Sequence, residues 1–197
     1  LAVVVGYDTR FLSENFAREC ARVLAANNIR VFLCNRDTPT PVIAYEIIRR
    51  KANGGINFTA SHNPYQYNGL KFSPSSGGPA PKETTRKIER RCAELLALPP
   101  GKKKQQIKEI SYEEAKGRYG ISIIDPLPAY LEELKETIDI KAIRKAKLRV
   151  VVDLLYGTSR GYLDTLLKVA GCKTHILHNW RDVLFGGHPP EPSKEYI

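Results

Sequence analysis

Gly55-Ile56-Asn57-Phe58-Thr59-Ala60-Ser61-His62-Asn63-Pro64, closed by Asn68-Gly69-Leu70-Lys71, is the stretch on which the reading of this chain turns. Gly55 to Phe58 reads as a short buried strand, and Leu70 to Phe72 as another. Between them lies a turn that carries a hydroxyl beside an imidazole. A turn at the end of a strand is where α/β folds place their chemistry.

The chain around this stretch has a βαβ rhythm. Leu1 to Val5 is an apolar run ending at Gly6-Tyr7-Asp8-Thr9-Arg10, a strand followed by a polar turn. Ser13 is placed to cap a helix whose buried face holds Phe16, Ala17, Cys20, Val23 and Leu24. Asn27-Asn28 ends it, and Ile29 to Cys34 is a second strand. In Thr38-Pro39-Thr40-Pro41, Thr40 reads as a cap and Pro41 as the first helical residue. After the Ser61 turn come a Gly/Pro/Ser loop from Ser73 to Pro81 and a helix from Lys82 to about Leu98. Pro99-Pro100-Gly101 stops that helix, and Gly101 to Gly120 reads as a polar, basic excursion with one short helix near Tyr112 to Lys116. A second unit follows: a helix capped by Asp125-Pro126, a strand from Leu148 to Val152, a turn at Tyr156 to Ser159, a helix from Arg160 to Ala170 and a strand from Thr174 to Leu177. The expected fold class is α/β, a mixed sheet flanked by helices, followed by the start of a second, similar domain. The boundary is expected near residue 125, giving 1–125 and 126–197.

Bulk properties narrow the partners. Hydrophobic content of 42% and a mean hydropathy of −0.34 suit a soluble globular chain. No apolar run reaches membrane-spanning length. Cys20, Cys34, Cys92 and Cys172 form no Cys-x-x-Cys pair, which argues against zinc or thioredoxin-like chemistry and favours a reducing, cytoplasmic setting. The net charge of +10 fits nucleic acid, an anionic small substrate, or an acidic portion absent from the chain. Much of the excess is local: Lys102-Lys103-Lys104 in a loop, and Arg86, Lys87, Arg90 and Arg91 on one helix. Such runs usually mean a solvated surface. The chain lacks Met and starts inside an apolar run, so it is expected to be a fragment. The C-terminal stretch, Glu191 to Ile197, gives no sign of closing a fold.

A serine hydroxyl is a poor nucleophile until activated. His62 is adjacent, but neighbours on an extended segment point apart, so the Asn63-Pro64 bend is needed to bring them together. Amides near Ala60 and Ser61 could cradle an oxyanion or phosphate. Lys71 could neutralise charge or move a proton. The set suits phosphoryl transfer better than acyl transfer, since no Gly-x-Ser-x-Gly elbow exists. The competing reading is an ordinary hydrogen-bonded turn with a solvent-facing histidine. His175, His178 and His188 read as structural, and Gly157-Thr158-Ser159 as helix capping before anion binding. No Walker loop or Gly-x-Gly-x-x-Gly fingerprint is present.

Thr59-Ala60-Ser61-His62-Asn63-Pro64 with Tyr67-Asn68-Gly69-Leu70-Lys71 resembles the phosphoserine loop of the α-D-phosphohexomutases, the phosphoglucomutase/phosphomannomutase family. Val5 to Arg10, Thr38 to Pro41, Val150 to Gly157, and Leu184 to Gly187 through Pro190 to Pro192 resemble further family segments. The resemblance implies a mutase that exchanges phosphate between the 1- and 6-positions of a hexose, through phosphate on Ser61 and a hexose 1,6-bisphosphate. It implies proton transfer by His62 and Lys71, and a supporting loop of Thr59, Asn63, Pro64, Asn68, Gly69 and Arg10. It also implies Mg²⁺ on the Ser61 phosphate, with aspartate ligands outside this chain, and glucose 1,6-bisphosphate as activator. The wording leans toward glucose over mannose or glucosamine; a hexose phosphate is the expected partner, not nucleic acid or a membrane. The family's Thr-Ser-Gly-x-Arg segment, Asp-Gly-Asp-x-Asp-Arg loop, sugar-selecting loop and phosphate-binding loop are absent from the chain. The chain alone is therefore expected to have little turnover.

Overall fold

The computed structural model of the chain describes residues 1–118 and 120–195. Tyr119 and, at the end of the C-terminal stretch, Tyr196 and Ile197 lie outside the described residues, as do the side chains of Lys104 and Arg118.

The first unit is a five-stranded mixed sheet. Its strands are β1 (Ala2–Tyr7), β2 (Arg30–Cys34), β3 (Gly54–Phe58), β4 (Leu70–Pro74) and β5 (Ile121–Ile124), in the order β4-β3-β1-β2-β5. Strands β3, β1, β2 and β5 run parallel, and β4 pairs antiparallel with β3. Helix α1 (Ser13–Ala26) joins β1 to β2, and α2 (Thr40–Arg49) joins β2 to β3. The chain therefore leaves β1 to one side and returns to its other side. That reversal creates a switch point at the C-terminal ends of the strands, where open α/β sheets bind ligands.

Alternation along the strands sends the two faces to different helices. Val5, Tyr7, Val31, Leu33 and Phe58 pack on Ala17 and Ala21 of α1. Val4, Phe32 and Cys34 pack on Ile43 and Ile47 of α2. Glycines at two strand positions allow α2 to come close. A Cβ at Gly6 would sit 2.3 Å from Ile43 Cδ1, and one at Gly55 would sit 2.5 Å from Ile47 Cδ1.

The second unit holds β6 (Arg149–Asp153) parallel to β7 (Lys173–Leu177), connected through α8 (Leu163–Val169). Between the units lie α3 (Lys82–Leu96), α4 (Pro100–Gln106), α5 (Tyr112–Arg118), α6 (Leu127–Thr137) and α7 (Ile140–Ala146).

Several local expectations are corrected. Ser13 is the first helical residue, not the cap; Leu12 occupies that position in the left-handed region, and the Ser13 hydroxyl is drawn to Asp8 instead. Thr40 begins α2, with Pro39 as its cap, and its hydroxyl accepts from Asn57. Lys102 to Lys104 lie in helix α4, started by Pro100 in its first turn, rather than in a loop. The helix expected from Arg160 begins only at Leu163. Strand β5 and helix α7 were not anticipated. Asp125 does serve the start of α6, accepting from the Leu127 amide at 3.1 Å. The Arg86, Lys87, Arg90 and Arg91 side chains stand exposed on α3.

Ile47 is fully buried, whereas its neighbour Ile48 is 58% exposed. Ile47→Ala is expected to cost about 2–5 kcal/mol of unfolding free energy, and Ile48→Ala within about 0.5 kcal/mol, read by urea titration. Burial also pushes the Cys20 and Cys34 thiols up to about 12, while Cys92 is exposed. Because the thiolate is the reactive form, iodoacetamide at about pH 8 is expected to modify Cys92 and spare Cys34 until the protein unfolds.

Candidate active site

The C-terminal end of β1 runs into Asp8-Thr9-Arg10, next to the loop that follows β3. Arg10 is 1% exposed. A buried guanidinium is tolerated only if its charge and its N–H groups are met. Here all five donors are engaged. Nε donates to Asp8 Oδ2 at 3.0 Å. One terminal nitrogen donates to the carbonyls of Pro64 (2.8 Å) and Tyr67 (3.0 Å). The other donates to the carbonyls of Ser61 (2.8 Å) and Asn63 (2.7 Å). The Phe185 ring, from the second unit, lies 5.2 Å from the guanidinium carbon.

Asp8 is held in turn. Its Oδ1 accepts from the Arg10 amide and from Ser13 Oγ, each at 3.0 Å. Asn68 Nδ2 donates to that same Ser13 oxygen at 2.9 Å. The two ends of the loop are tied by the Thr59 amide donating to the Gly69 carbonyl at 2.9 Å. Arg10, Asn63, Pro64, Asn68, Gly69 and Thr59 thus form one frame around residue 61.

Within that frame Ser61 has φ +60, a left-handed conformation uncommon outside glycine and asparagine. Its amide donates to Thr59 Oγ1 at 3.0 Å and its carbonyl is held by Arg10. The turn therefore begins at Ser61 itself, before the expected Asn63-Pro64 bend. The Ser61 amide is spent inside the turn, so it cannot serve the anion cradle expected from it. The outcome is an exposed hydroxyl, with Ser61 Oγ 3.4 Å from His62 Nδ1. The same ring nitrogen is 3.7 Å from Glu191 Oε2.

The Ser61 cleft has a volume of about 350 Å³ and is walled on its far side by Leu154, Leu155 and Gly157 to Ser159 of the second unit. Lys71 is not among its lining residues. It pairs with Asn57 across the β3–β4 ladder and lines a neighbouring cleft of about 410 Å³. Thr40 borders both clefts and accepts from Asn57 Nδ2 at 3.0 Å. Ser61 and His62 are thus brought together, while Lys71 stands beyond Thr40. Asp8, Phe185 and Glu191 were not singled out as site residues from the sequence; Phe185 and Glu191 meet Arg10 and His62 from far away in the chain, whereas Asp8 meets Arg10 and Ser13 close by.

Among the described residues no group of three or more His, Cys, Asp or Glu side chains could hold a metal ion. Mg²⁺ favours carboxylate and phosphate oxygens. The carboxylate lining the Ser61 cleft is Asp8, and both of its oxygens are engaged. The described residues do not fit a Mg²⁺ cage.

Fold and site together define an α/β protein with a hydroxyl-bearing turn clamped at the switch point of a parallel sheet. Residues 1–97 match the family model "Phosphoglucomutase/phosphomannomutase, alpha/beta/alpha domain I", and residues 128–197 match that for domain II. The chain belongs to the phosphoglucomutase/phosphomannomutase family. It is 32% identical to Phosphoglucomutase-1 of Homo sapiens over 98% of its own length and 38% of the relative's. It is 29% identical to a Phosphoglucomutase of Komagataeibacter xylinus, over 92% of this chain and 33% of the relative. A structure from Thermus thermophilus, described as a candidate phosphomannomutase, superposes with a TM-score of 0.82 at 33% identity, over 99% of this chain and 41% of that one. The chain thus spans about two fifths or less of these relatives.

Replacing Arg10 with lysine keeps a charge but leaves most of the carbonyls without a donor. Arg10→Lys is expected to lower stability by about 3–5 kcal/mol. It should also speed hydrogen exchange at the Thr59 and Asn63 amides; an unchanged urea midpoint would show that the clamp is not what holds the loop.

Proposed function

We propose that this chain is the phosphoserine-bearing part of a phosphohexomutase. The full protein would interconvert hexose 1-phosphate and hexose 6-phosphate, with glucose as the hexose. The observation that carries this reading is the exposed Ser61 hydroxyl beside His62, on a turn clamped in a left-handed conformation. Phosphoryl transfer needs position more than covalent work by the protein, and a clamped turn supplies position.

In the forward direction a phosphate on Ser61 moves to the free O6 of hexose 1-phosphate. The Oγ–P bond breaks, the O6–P bond forms, and the O6 proton leaves to a base. Oγ regains a proton from His62 Nδ1, 3.4 Å away. The bisphosphate then turns over: the O1–P bond breaks as the Oγ–P bond forms, O1 takes the proton that the base had received from O6, and His62 takes the Oγ proton back. The Glu191 carboxylate, 3.7 Å from Nδ1, faces the imidazolium whenever the ring is charged. Lys71 takes the role of a cation that assists proton transfer, from its place in the neighbouring cleft beyond Thr40. Mg²⁺ dependence belongs to the family, but no step is assigned to the ion, since the residues here do not form its cage. Glucose 1,6-bisphosphate is the activator this cycle requires. The domain division falls at residue 125, after β5 ends at Ile124 and before the second family segment begins at 128.

The glucose reading rests on the phosphoglucomutases among the relatives. Mannose is the second reading, favoured by the Thermus thermophilus structure. A cytoplasmic location is proposed from the unpaired cysteines; the relatives include both a cytoplasmic and a chloroplastic form. No described helix is long and apolar enough to cross a membrane.

The test is an intact mass and peptide map of the full-length protein with and without glucose 1,6-bisphosphate. One phosphate on Ser61 is expected. Ser61→Ala should abolish it and lower kcat/KM at least about a thousandfold. A variant that keeps normal turnover would overturn the mechanism.

A further inference from the structure

Asn57, the next-to-last residue of β3, is 5% exposed. A buried amide is tolerated when its donors and its acceptor are both met. Here Nδ2 donates to Thr40 Oγ1 at 3.0 Å, but Oδ1 accepts from no group among the described residues. A buried acceptor in that state calls for a partner.

The strand register supplies one. Asn57 stands directly opposite Lys71 in the antiparallel β3–β4 ladder. Opposite residues send their side chains to the same face, with Cβ atoms about 4.5–5.5 Å apart. The four-carbon stem of a lysine spans that gap. The Lys71 side chain is exposed, and its ammonium has no hydrogen bond or ion pair among the described residues. One side of the ladder thus holds an acceptor without a donor, and the other holds donors without an acceptor. The orientation of the amide agrees. Turned the other way, Asn57 would present N–H groups to a side chain that can only donate.

Location gives the pair its meaning. Asn57 and Lys71 both line the cleft of about 410 Å³, and neither lines that of Ser61. Thr40, which fixes the amide, lines both. Lys71 now faces solvent and reaches Oδ1 by swinging inward. An ammonium resting there stands next to the residue that the two clefts share. Asn57 takes one of its three donors, and two remain for phosphoryl oxygens. Among the described residues no lysine or arginine lines the Ser61 cleft itself. Where this one charge is placed therefore governs how well a transferring phosphoryl group is balanced.

We propose that Asn57 is the positioning residue of Lys71: the amide, fixed by Thr40, receives the ammonium during phosphoryl transfer and sets its charge at the partition between the two clefts. The assignment rests on Ser61 being the phosphoryl carrier and on Lys71 serving the transfer.

The experiment follows a single turnover of the full-length protein. Enzyme phosphorylated on Ser61 is mixed with glucose 1-phosphate, and the phosphate remaining on Ser61 is read by rapid quench. Asn57→Leu, similar in volume and without polar atoms, is expected to slow transfer about tenfold or more, with the substrate concentration for half-maximal rate changed about twofold or less. The same substitution placed in Lys71→Met is expected to change the residual rate about twofold or less, because no ammonium is left to place. Thr40→Val, at an exposed position, covers the case in which Asn57→Leu does not fold. It should slow transfer about threefold or more, again only where Lys71 is present, and Thr40→Ser should recover most of that loss. A structural role would slow both backgrounds by the same factor. That result, or an Asn57→Leu, Thr40→Val or Lys71→Met enzyme as fast as wild type, overturns the positioning alone. A wild-type Ser61 that never takes phosphate overturns the positioning and the mutase reading together.

Discussion

One buried guanidinium organises this end of the molecule. Arg10 sits where β1 ends, and its five N–H groups are divided between Asp8 and four carbonyls of the loop after β3. Those carbonyls converge because the loop curls around the charge. Without the guanidinium they would face one another across a buried space, unpaired and mutually repulsive. The same contacts hold Ser61 in a conformation that costs free energy by itself. The strain and the burial of charge are thus coupled: the loop stabilises Arg10, and Arg10 keeps the hydroxyl of residue 61 outward.

The consequences reach the second unit. The Phe185 ring covers the guanidinium, and Arg181 ties Glu14 of α1 to the second unit at 2.8 Å. The Arg160–Asp37 clasp, with Arg160 donating to both carboxylate oxygens at 2.8 Å, fastens the second unit to the segment after β2. These contacts come from segments that follow β1 and β2, near the carboxyl edge of the sheet. The second unit is therefore fastened around the cleft rather than to the sheet faces, which α1 and α2 already cover. A cleft framed in this way keeps its width only as long as the clasps hold. The aromatic run Tyr45, Tyr130, Tyr162 adds an apolar seam beside one of them.

Much of this was legible in order along the chain. The βαβ rhythm, the strand before Ser61 and the strand carrying Lys71 follow from local pattern, and the sheet has them. The hydroxyl–imidazole pair was also legible, because the two residues are adjacent. What was hidden depends on distance in sequence. The carbonyls that Arg10 binds are 51 to 57 residues away, and nothing in Asp8-Thr9-Arg10 names them. Strand β5 is four residues long, and its pairing with β2 is a tertiary fact. Ser13 was misread because a helix-capping residue and a ligand for a buried aspartate look alike in one dimension. Thr158 and Ser159 were read as caps for the same reason, and the helix they were to cap starts further on.

The distribution of charge carries the last step. The chain has a surplus of ten positive charges, yet among the described residues no lysine or arginine lines the Ser61 cleft. Arg10 is close, but every donor it owns is already used and its charge is paired with Asp8, so it cannot also hydrogen-bond a phosphate. Lys71 stands beyond Thr40, in the adjoining cleft. A phosphoryl group on Ser61 would carry close to two negative charges at neutral pH. The wall facing it here offers hydroxyls and apolar surface, which cannot balance that charge. Countercharge must come from groups other than those lining this cleft. The clamped turn sets position, and the electrostatic stabilisation of transfer needs positive charge from beyond this wall.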